Sequence, residues 1–149
     1  MSRPGLSRAG HVNAMGVPRA FDRATAIAAA TASAVAAASA DTPALLLNAV
    51  VPGEGYTVAK RIAYGADPRQ HLDVYVPSER SDSVPVLAFF YGGSWKTGKR
   101  SYYRFIGEAF ASRGYMVVVP DYRLYPSVRF PEFVEDGARA LKWIEQNAS

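Results

Sequence analysis

The stretch VLAFFYGGSW, residues 86–95, decides the fold, because it is an apolar run that ends abruptly at two glycines. Val86–Tyr91 carries no charged side chain, which is typical of a strand buried on both faces of a sheet. A second unbroken apolar run, Tyr115–Val119, ends at Pro120. The two runs predict neighbouring strands in the middle of a parallel sheet.

The segments around these runs complete the pattern. Apolar residues recur at helical spacing over Tyr102–Arg113, and a second helix is predicted from about Pro131, with acidic residues in its first turns. Upstream, Thr57–Tyr64 and Leu72–Val76 have the composition of strands joined by a turn at residues 67–68. We therefore predict an α/β fold, a helix/sheet/helix sandwich in which antiparallel strands are followed by parallel strands.

The charge distribution argues against a nucleic-acid partner. Residues 1–40 contribute +3 of the formal net charge of +4, because they hold four arginines and one aspartate. Residues 41–149 hold 13 Lys and Arg against 12 Asp and Glu, so they offer no basic surface for phosphate backbones. The chain has no cysteine, which excludes disulfides, thiol catalysis and a Cys-ligated zinc.

Residues 1–40 are interpreted as a leader separate from the domain. Scattered arginines precede an uncharged Ala, Thr and Ser segment, Ala24–Ala40, that ends in Ala38-Ser39-Ala40. This order predicts either a secretory signal peptide cleaved before Asp41 or, equally, a low-complexity tail. The domain is then predicted over residues 41–149. The protein would be periplasmic or secreted in the first case and cytoplasmic in the second.

The turn after the first apolar run is the predicted functional site, because functional loops of an open α/β sheet collect at the carboxyl ends of its parallel strands. Gly92 and Gly93 let the backbone approach a ligand closely, and N–H groups that leave the sheet here can face an anion. An oxyanion hole needs such fixed donors for the negative charge of a tetrahedral intermediate. Taken alone, the two glycines are more simply explained as a tight exit from a strand.

Further motifs follow in order and resemble one family. Residues 91–95, YGGSW, resemble the His-Gly-Gly-x-Trp loop of α/β-hydrolases, particularly the bacterial carboxylesterase and lipase-like members of the BD-FAE or hormone-sensitive-lipase-like kind. Residues 118–124, VVPDYRL, resemble the end of the family's fourth strand, and residues 135–144, EDGARALKWI, resemble the helix that leads to its nucleophile strand. The resemblance covers Thr57 to Asn147. It implies the N-terminal part of one α/β-hydrolase domain, incomplete at the C-terminus.

The resemblance also implies a role for each matching residue. These are Gly92, Gly93 and Ser94 as backbone donors of the oxyanion hole, Trp95 and Tyr91 in the substrate pocket, and Asp121 and Arg123 as supports of the loop or of helix contacts. Tyr91 stands where the family has a histidine, so a phenol must make the hydrogen bond of that imidazole or leave it unmade. Trp95 is equally explained as a half-buried surface aromatic.

The implied activity is hydrolysis of a small-molecule carboxylic ester through a serine acyl-enzyme, without a cofactor or a metal. The 149 residues contain no Gly-x-Ser-x-Gly motif, and the family's Ser, Asp or Glu, and His all follow the segment that ends here at Ser149. Of the two histidines, His11 lies in the leader and His71 precedes the glycine turn. We therefore expect a truncated, inactive fragment whose missing C-terminal half would supply the triad.

Two other functions compete with this interpretation. A non-catalytic ligand-binding or interaction module derived from the fold needs no nucleophile. Against it, a sheet that stops after its second parallel strand leaves an open strand edge, which promotes aggregation. A metal-dependent hydrolase is disfavoured because no His and Asp cluster has the spacing of metal ligands.

Overall fold

The computed structural model of the chain describes residues 27–31, 41–51, 53–79 and 83–147. The elements are, in chain order, β1 (Ile27–Thr31), α1 (Asp41–Val50), β2 (Tyr56–Ala63), β3 (His71–Pro77), β4 (Val86–Phe90), a 3-10 helix (Arg100–Tyr103), α2 (Arg104–Ala111), β5 (Met116–Pro120) and α3 (Glu132–Asn147). None of the helices in these ranges is long and apolar enough to cross a bilayer.

One mixed sheet organises the described chain, with strand order β1-β4-β5-β3-β2. β2 and β3 form an antiparallel hairpin, and β3 lies antiparallel to β5. β4 and β5 run parallel, with Leu87 opposite Val117. The prediction of antiparallel strands followed by parallel strands is confirmed.

The core has two halves because successive side chains of a strand point to opposite faces of the sheet. One half includes Val74, Val86, Ala88, Met116 and Val118, together with Ile144 of α3. The other includes Tyr75, Leu87, Phe89, Val117 and Val119, together with Ala111 of α2. One helix therefore covers each face, which confirms the helix/sheet/helix sandwich.

α2 lies unusually close to the sheet at Gly107. A Cβ atom at this position would lie 2.5 Å from ring atoms of Tyr75, a residue that is buried at 2% exposure. The absence of a side chain at Gly107 is thus what allows the helix to pack against the ring.

β1 lies in the predicted leader, where the sequence predicts no strand. Ile27–Thr31 pairs in parallel with Val86–Phe90 through all five residues. Three of the five are alanines, which have low β propensity and give no strand signal. The sequence argument expects a central strand edge without its next neighbour, whereas in the described chain β4 has a partner on each side, β1 and β5. The motif Ala38–Ala40 lies outside the described residues, so the signal peptide stays a prediction.

Candidate active site

The loop that leaves β4 has a backbone conformation that few sequences can adopt. Gly93, Ser94 and Trp95 have φ values of 135°, 52° and 61°. Positive φ is uncommon in residues other than glycine, and consecutive cases concentrate at functional sites. A Cβ atom at Gly93 would lie 2.3 Å from the carbonyl oxygen of Thr97, so glycine is required there.

This conformation separates the donors of the loop from its acceptors. The carbonyl oxygen of Gly93 accepts hydrogen bonds from the backbone N–H groups of Lys96 (3.0 Å) and Thr97 (3.2 Å). The N–H groups of Gly93, Ser94 and Trp95 donate to no acceptor among the residues that the structure describes. A row of unpaired N–H groups at the carboxyl end of a parallel sheet can bind an anionic or strongly polarised oxygen.

Tyr91 supports the loop from below. Its ring is stacked between Tyr103 and Tyr122, with centroid distances of 5.4 and 4.8 Å, and the residue is only 2% exposed. Its hydroxyl donates to Oδ1 of Asp121 at 2.7 Å and accepts from Nη2 of Arg69 at 2.9 Å. Burial raises the pKa of Tyr91, and the charge of Asp121 raises that pKa further.

The sequence assigned Tyr91 to the substrate pocket, and this assignment needs correction. The ring is enclosed by other aromatic rings and the hydroxyl is committed to two partners, so the side chain presents no free surface. The phenol does make hydrogen bonds at the position where the family has an imidazole.

Asp121, directly after β5, ties the loop to the sheet. Besides Tyr91, it accepts the backbone N–H of Arg100 at 2.7 Å, and it forms an ion pair with the Arg100 guanidinium. The same guanidinium reaches Oδ1 of Asp73 on β3 at 2.9 Å. Burial lowers the pKa of Arg100, but hydrogen bonds and charges from Asp73 and Asp121 raise it by more. The two carboxylates therefore hold a charged arginine at the end of the loop.

Arg123 lies further along the same segment and contacts α3. Its Nε and Nη2 atoms donate to the two carboxylate oxygens of Asp136, at 2.8 and 2.7 Å, and its backbone N–H donates to Oδ2 at 3.0 Å. Gln70 Nε2 also donates to this carboxylate, at 2.7 Å. Burial raises the pKa of Asp136, but the hydrogen bonds from Arg123 and Gln70 lower it by more, so the carboxylate is charged. Arg123 thus fixes α3 to the carboxyl end of β5.

Trp95 is half-exposed and packs on its neighbours. Its ring stacks on Phe133 at 4.5 Å and meets the Tyr122 ring edge-on at 5.1 Å. Its carbonyl oxygen accepts the N–H of Tyr125 at 2.8 Å. With 42% of its surface exposed beside Ser94, Trp95 offers one face to solvent at the loop.

The sequence missed three residues of this arrangement, Arg69, Asp73 and Arg100. Asp73 could have been found, because it stands between apolar neighbours in a buried strand, where a carboxylate needs a partner. The arginines gave no signal, because their partners are distant in sequence. Among the described residues there is no group of three or more metal-ligating side chains.

Solved structures with a similar fold include esterases. Esterase B of Lactobacillus rhamnosis superposes with a TM-score of 0.63 at 30% identity, over 70% of this chain and 35% of the esterase. A bacterial heroin esterase superposes with a TM-score of 0.60 at 26% identity, over 72% of this chain and 36% of the esterase. The fold is therefore that of the α/β-hydrolases.

Sequence comparison narrows this class to one family. The sequence model of the BD-FAE family matches residues 72–149, more than half of the chain. The chain belongs to the BD-FAE family.

Curated relatives carry esterase names. The isoprenylcysteine alpha-carbonyl methylesterase of Arabidopsis thaliana is 33% identical over 92 residues, which are 62% of this chain and 22% of the relative. Esterase LipC of Mycobacterium tuberculosis is 33% identical over 94 residues, 62% of this chain and 23% of LipC. The chain thus spans less than a quarter of the length of either relative.

Proposed function

We propose that this protein takes part in the hydrolysis of small-molecule carboxylic esters, and that Gly92, Gly93 and Ser94 supply the backbone donors of its oxyanion hole. The observation that carries the proposal is that the N–H groups of Gly93 and Ser94 have no acceptor among the described residues. Gly92 is included because residues 91–95 resemble the family's oxyanion loop. Esterase names among the relatives and the solved neighbours support the choice of substrate class.

The chemistry that these donors would serve is acyl transfer. When a nucleophile attacks the ester carbonyl, its oxygen becomes an oxyanion, and fixed donors stabilise it without reorganising. Each such donor lowers the barrier by about 3–4 kcal/mol. Trp95, exposed beside the donors, would contact the acyl or alcohol group of the ester.

The nucleophile and the base are proposed to come from residues outside the 149-residue sequence. That sequence has no Gly-x-Ser-x-Gly, and Nδ1 of His71 lies 2.9 Å from the carbonyl oxygen of Pro68 in the β2–β3 turn. His71 precedes β4, whereas the base of this family follows the nucleophile. The 149-residue chain by itself is therefore expected to be inactive.

Two samples test the proposal with p-nitrophenyl acetate and butyrate. The protein isolated from its natural source should hydrolyse the esters and be labelled by a fluorophosphonate, whereas the 149-residue chain should do neither. An acyl-enzyme burst from the 149-residue chain would contradict the assignment of the nucleophile. Absence of hydrolysis by the native protein would contradict the ester hydrolase itself.

Two substitutions in the active protein test the donors. Gly93→Ala should lower kcat by roughly 10²–10³-fold, because the new Cβ would overlap the Thr97 carbonyl and displace the loop. Ser94→Ala is the matched control, since it removes a hydroxyl and keeps the N–H group, and it should leave kcat within about threefold. If the two substitutions change kcat equally, the assignment of the backbone N–H groups as oxyanion donors is wrong.

One observation favours a second candidate, a non-catalytic ligand-binding or interaction module. The sequence argument against it is a central strand edge without a neighbour, and in the described chain β1 pairs with the central strand β4. Such a module would bind ester-derived ligands without turnover. Isothermal titration with butyrate and its ethyl ester distinguishes the two, because saturable binding by a native protein that lacks hydrolysis supports only the module.

A further inference from the structure

We propose that Arg69, in the turn between β2 and β3, is the positioning residue that sets the shape of the loop of residues 91–99, which joins β4 to the 3-10 helix. Its Nη2 atom donates to the Tyr91 hydroxyl and to the carbonyl oxygen of Gly98, both at 2.9 Å. Its Nε atom donates to the carbonyl oxygen of Tyr122 at 2.8 Å. One guanidinium thus joins the start of the loop, its end, and the segment after β5. The catalytic meaning of this role rests on the proposed oxyanion hole.

The turn holds Arg69 in place for this task. The backbone N–H of Arg69 donates to the Asp67 carboxylate at 2.8 Å, and the N–H of Gln70 donates to the Asp67 carbonyl at 2.8 Å. The Gln70 carbonyl in turn accepts the N–H of Tyr64 at 2.9 Å. The side chain therefore extends from a closed, hydrogen-bonded turn toward the loop.

The loop folds back on itself at the point that Arg69 holds. A Cβ atom at Gly98 would lie 2.7 Å from a ring carbon of Tyr91, so the returning chain lies directly on that ring. Arg69 ties the carbonyl of Gly98 and the hydroxyl of Tyr91 to the same nitrogen. The two ends of the loop are thereby fixed relative to each other, and residues 93–95 lie between them.

Only an arginine can make this connection. Its guanidinium presents donors on two edges of a rigid plane, so it can reach acceptors on β4, the loop and the β5 segment together. A lysine has its three donors on one nitrogen and cannot span the three sites. The charge of Arg69 contributes less than the geometry of its hydrogen bonds, because the nearest carboxylate oxygen of Asp121 lies 3.9 Å away and the Arg69 side chain is 35% exposed.

Hydrogen–deuterium exchange on the intact 149-residue chain tests the proposal without an activity assay. In Arg69→Met, the amides of Lys96 and Thr97, which donate to the Gly93 carbonyl inside the loop, should exchange about tenfold to a hundredfold faster, since bonds from a charged donor are lost. The amides of β5 should keep their wild-type rates. Arg113→Met is the matched control, because the guanidinium of this exposed arginine donates to a single acceptor among the described residues, the Ala109 carbonyl, and Arg113 lies before the amino end of β5. It should leave both segments unchanged.

Arg69→Lys tests the geometric argument. The loop should still exchange faster than in the wild type, because one ammonium cannot replace three connections. Wild-type loop exchange in Arg69→Met or in Arg69→Lys would overturn the proposal. An equal increase in the loop and in β5 would also overturn it, because the arginine would then stabilise the whole fold.

Kinetics separate this role from the proposed function. In the active native protein, Arg69→Met should lower kcat by about tenfold or more and leave KM within about threefold, because the donors act on the transition state. A KM effect without a kcat effect would refute positioning of the donors. If the native protein hydrolyses no ester while the exchange result is as expected, the oxyanion hole fails and the control of loop shape by Arg69 stands.

Discussion

Replacement of Asp136 by asparagine tests the connection between α3 and the carboxyl end of β5. Asp136 is fully buried and accepts five hydrogen bonds. Oδ2 accepts two from Arg123, and Oδ1 accepts one each from Gln70, Arg123 and Arg139. An asparagine must turn its NH₂ group toward one of these two sets, so at least two donors would face another donor.

The size of the loss follows from these contacts. Breaking a buried ion pair from one side costs about 3–5 kcal/mol. The lower end applies, because the Arg123 side chain is 21% exposed and retains contact with water. We expect Asp136→Asn to lower the free energy of unfolding by about 3 kcal/mol. For a domain of this size the urea midpoint should then fall by about 1–3 M.

Urea unfolding at pH 7, followed by far-UV circular dichroism, measures this loss. Glu135→Gln is the control on the same helix, because Glu135 is 52% exposed and lies 3.7 Å from Arg139. It should change stability by no more than about 0.5 kcal/mol. Arg123→Met breaks the buried pair from the other side and should cost a similar amount to Asp136→Asn. If Asp136→Asn and Arg123→Met each lower the free energy of unfolding by less than about 1 kcal/mol relative to the control, the buried ion pair does not stabilise the fold as proposed.

Three further predictions concern pH and packing. The pKa of Asp136 is lowered in the folded state. The charged Asp136 therefore stabilises the fold fully above the pKa of an unfolded aspartate, about 3.9, and this stabilisation is lost as pH falls through the folded pKa. The stability gap between wild type and Asp136→Asn should therefore narrow in urea titrations below about pH 4, and a constant gap would contradict this linkage. Burial, and then hydrogen bonding to the buried Glu108, raises the pKa of Tyr56 to about 12, so its contribution is present below about pH 10 and is lost as pH rises toward 12. Tyr56→Phe should be less stable than wild type at pH 8, and the difference should shrink at pH 11; an unchanged difference would count against the assignment. Gly107→Ala should lower the melting temperature, at a cost of about 1–3 kcal/mol, because its Cβ would overlap the Tyr75 ring. Gly137→Ala, where the nearest atom lies 3.6 Å away, should raise stability by up to about 1 kcal/mol, and equal melting temperatures for the two would show that the clash is relieved without cost.

The central strands and the position of the loop could be predicted from the sequence because each is encoded locally. An apolar run buried on both faces needs no partner to be recognised, and Val86–Phe90 and Met116–Pro120 are almost entirely buried in the structure. The two glycines after β4 likewise mark a backbone that leaves the sheet sharply. The oxyanion role of this loop stays a proposal.

The connections beneath the loop could not be predicted, because they join residues far apart in sequence. Arg69 meets the Gly98 carbonyl 29 positions later, and no local pattern specifies that pairing. Asp136 does have a local sequence signal. It lies four residues before Ala140 and eight before Ile144, on the buried face of α3, where a carboxylate requires a partner.

β1 marks a different limit of sequence interpretation. Its three central alanines have low strand propensity and no alternation, and the pairing with β4 is made by the backbone. The position of β1 is thus set by the edge of β4 with which it pairs. Its own residues therefore give no sign of it.

The phenol at position 91 has a consequence for how any activity of this protein will respond to acidity. A histidine at this place would gain or lose a proton near neutrality, so the loop and the attacking groups would titrate over the same range. The raised pKa of Tyr91 keeps its proton on the oxygen throughout that range. Inflections in a pH–rate profile between pH 5 and 9 would therefore not come from Tyr91. Tyr91, which supports the loop, therefore keeps its proton over the pH range in which the groups that attack the ester would titrate.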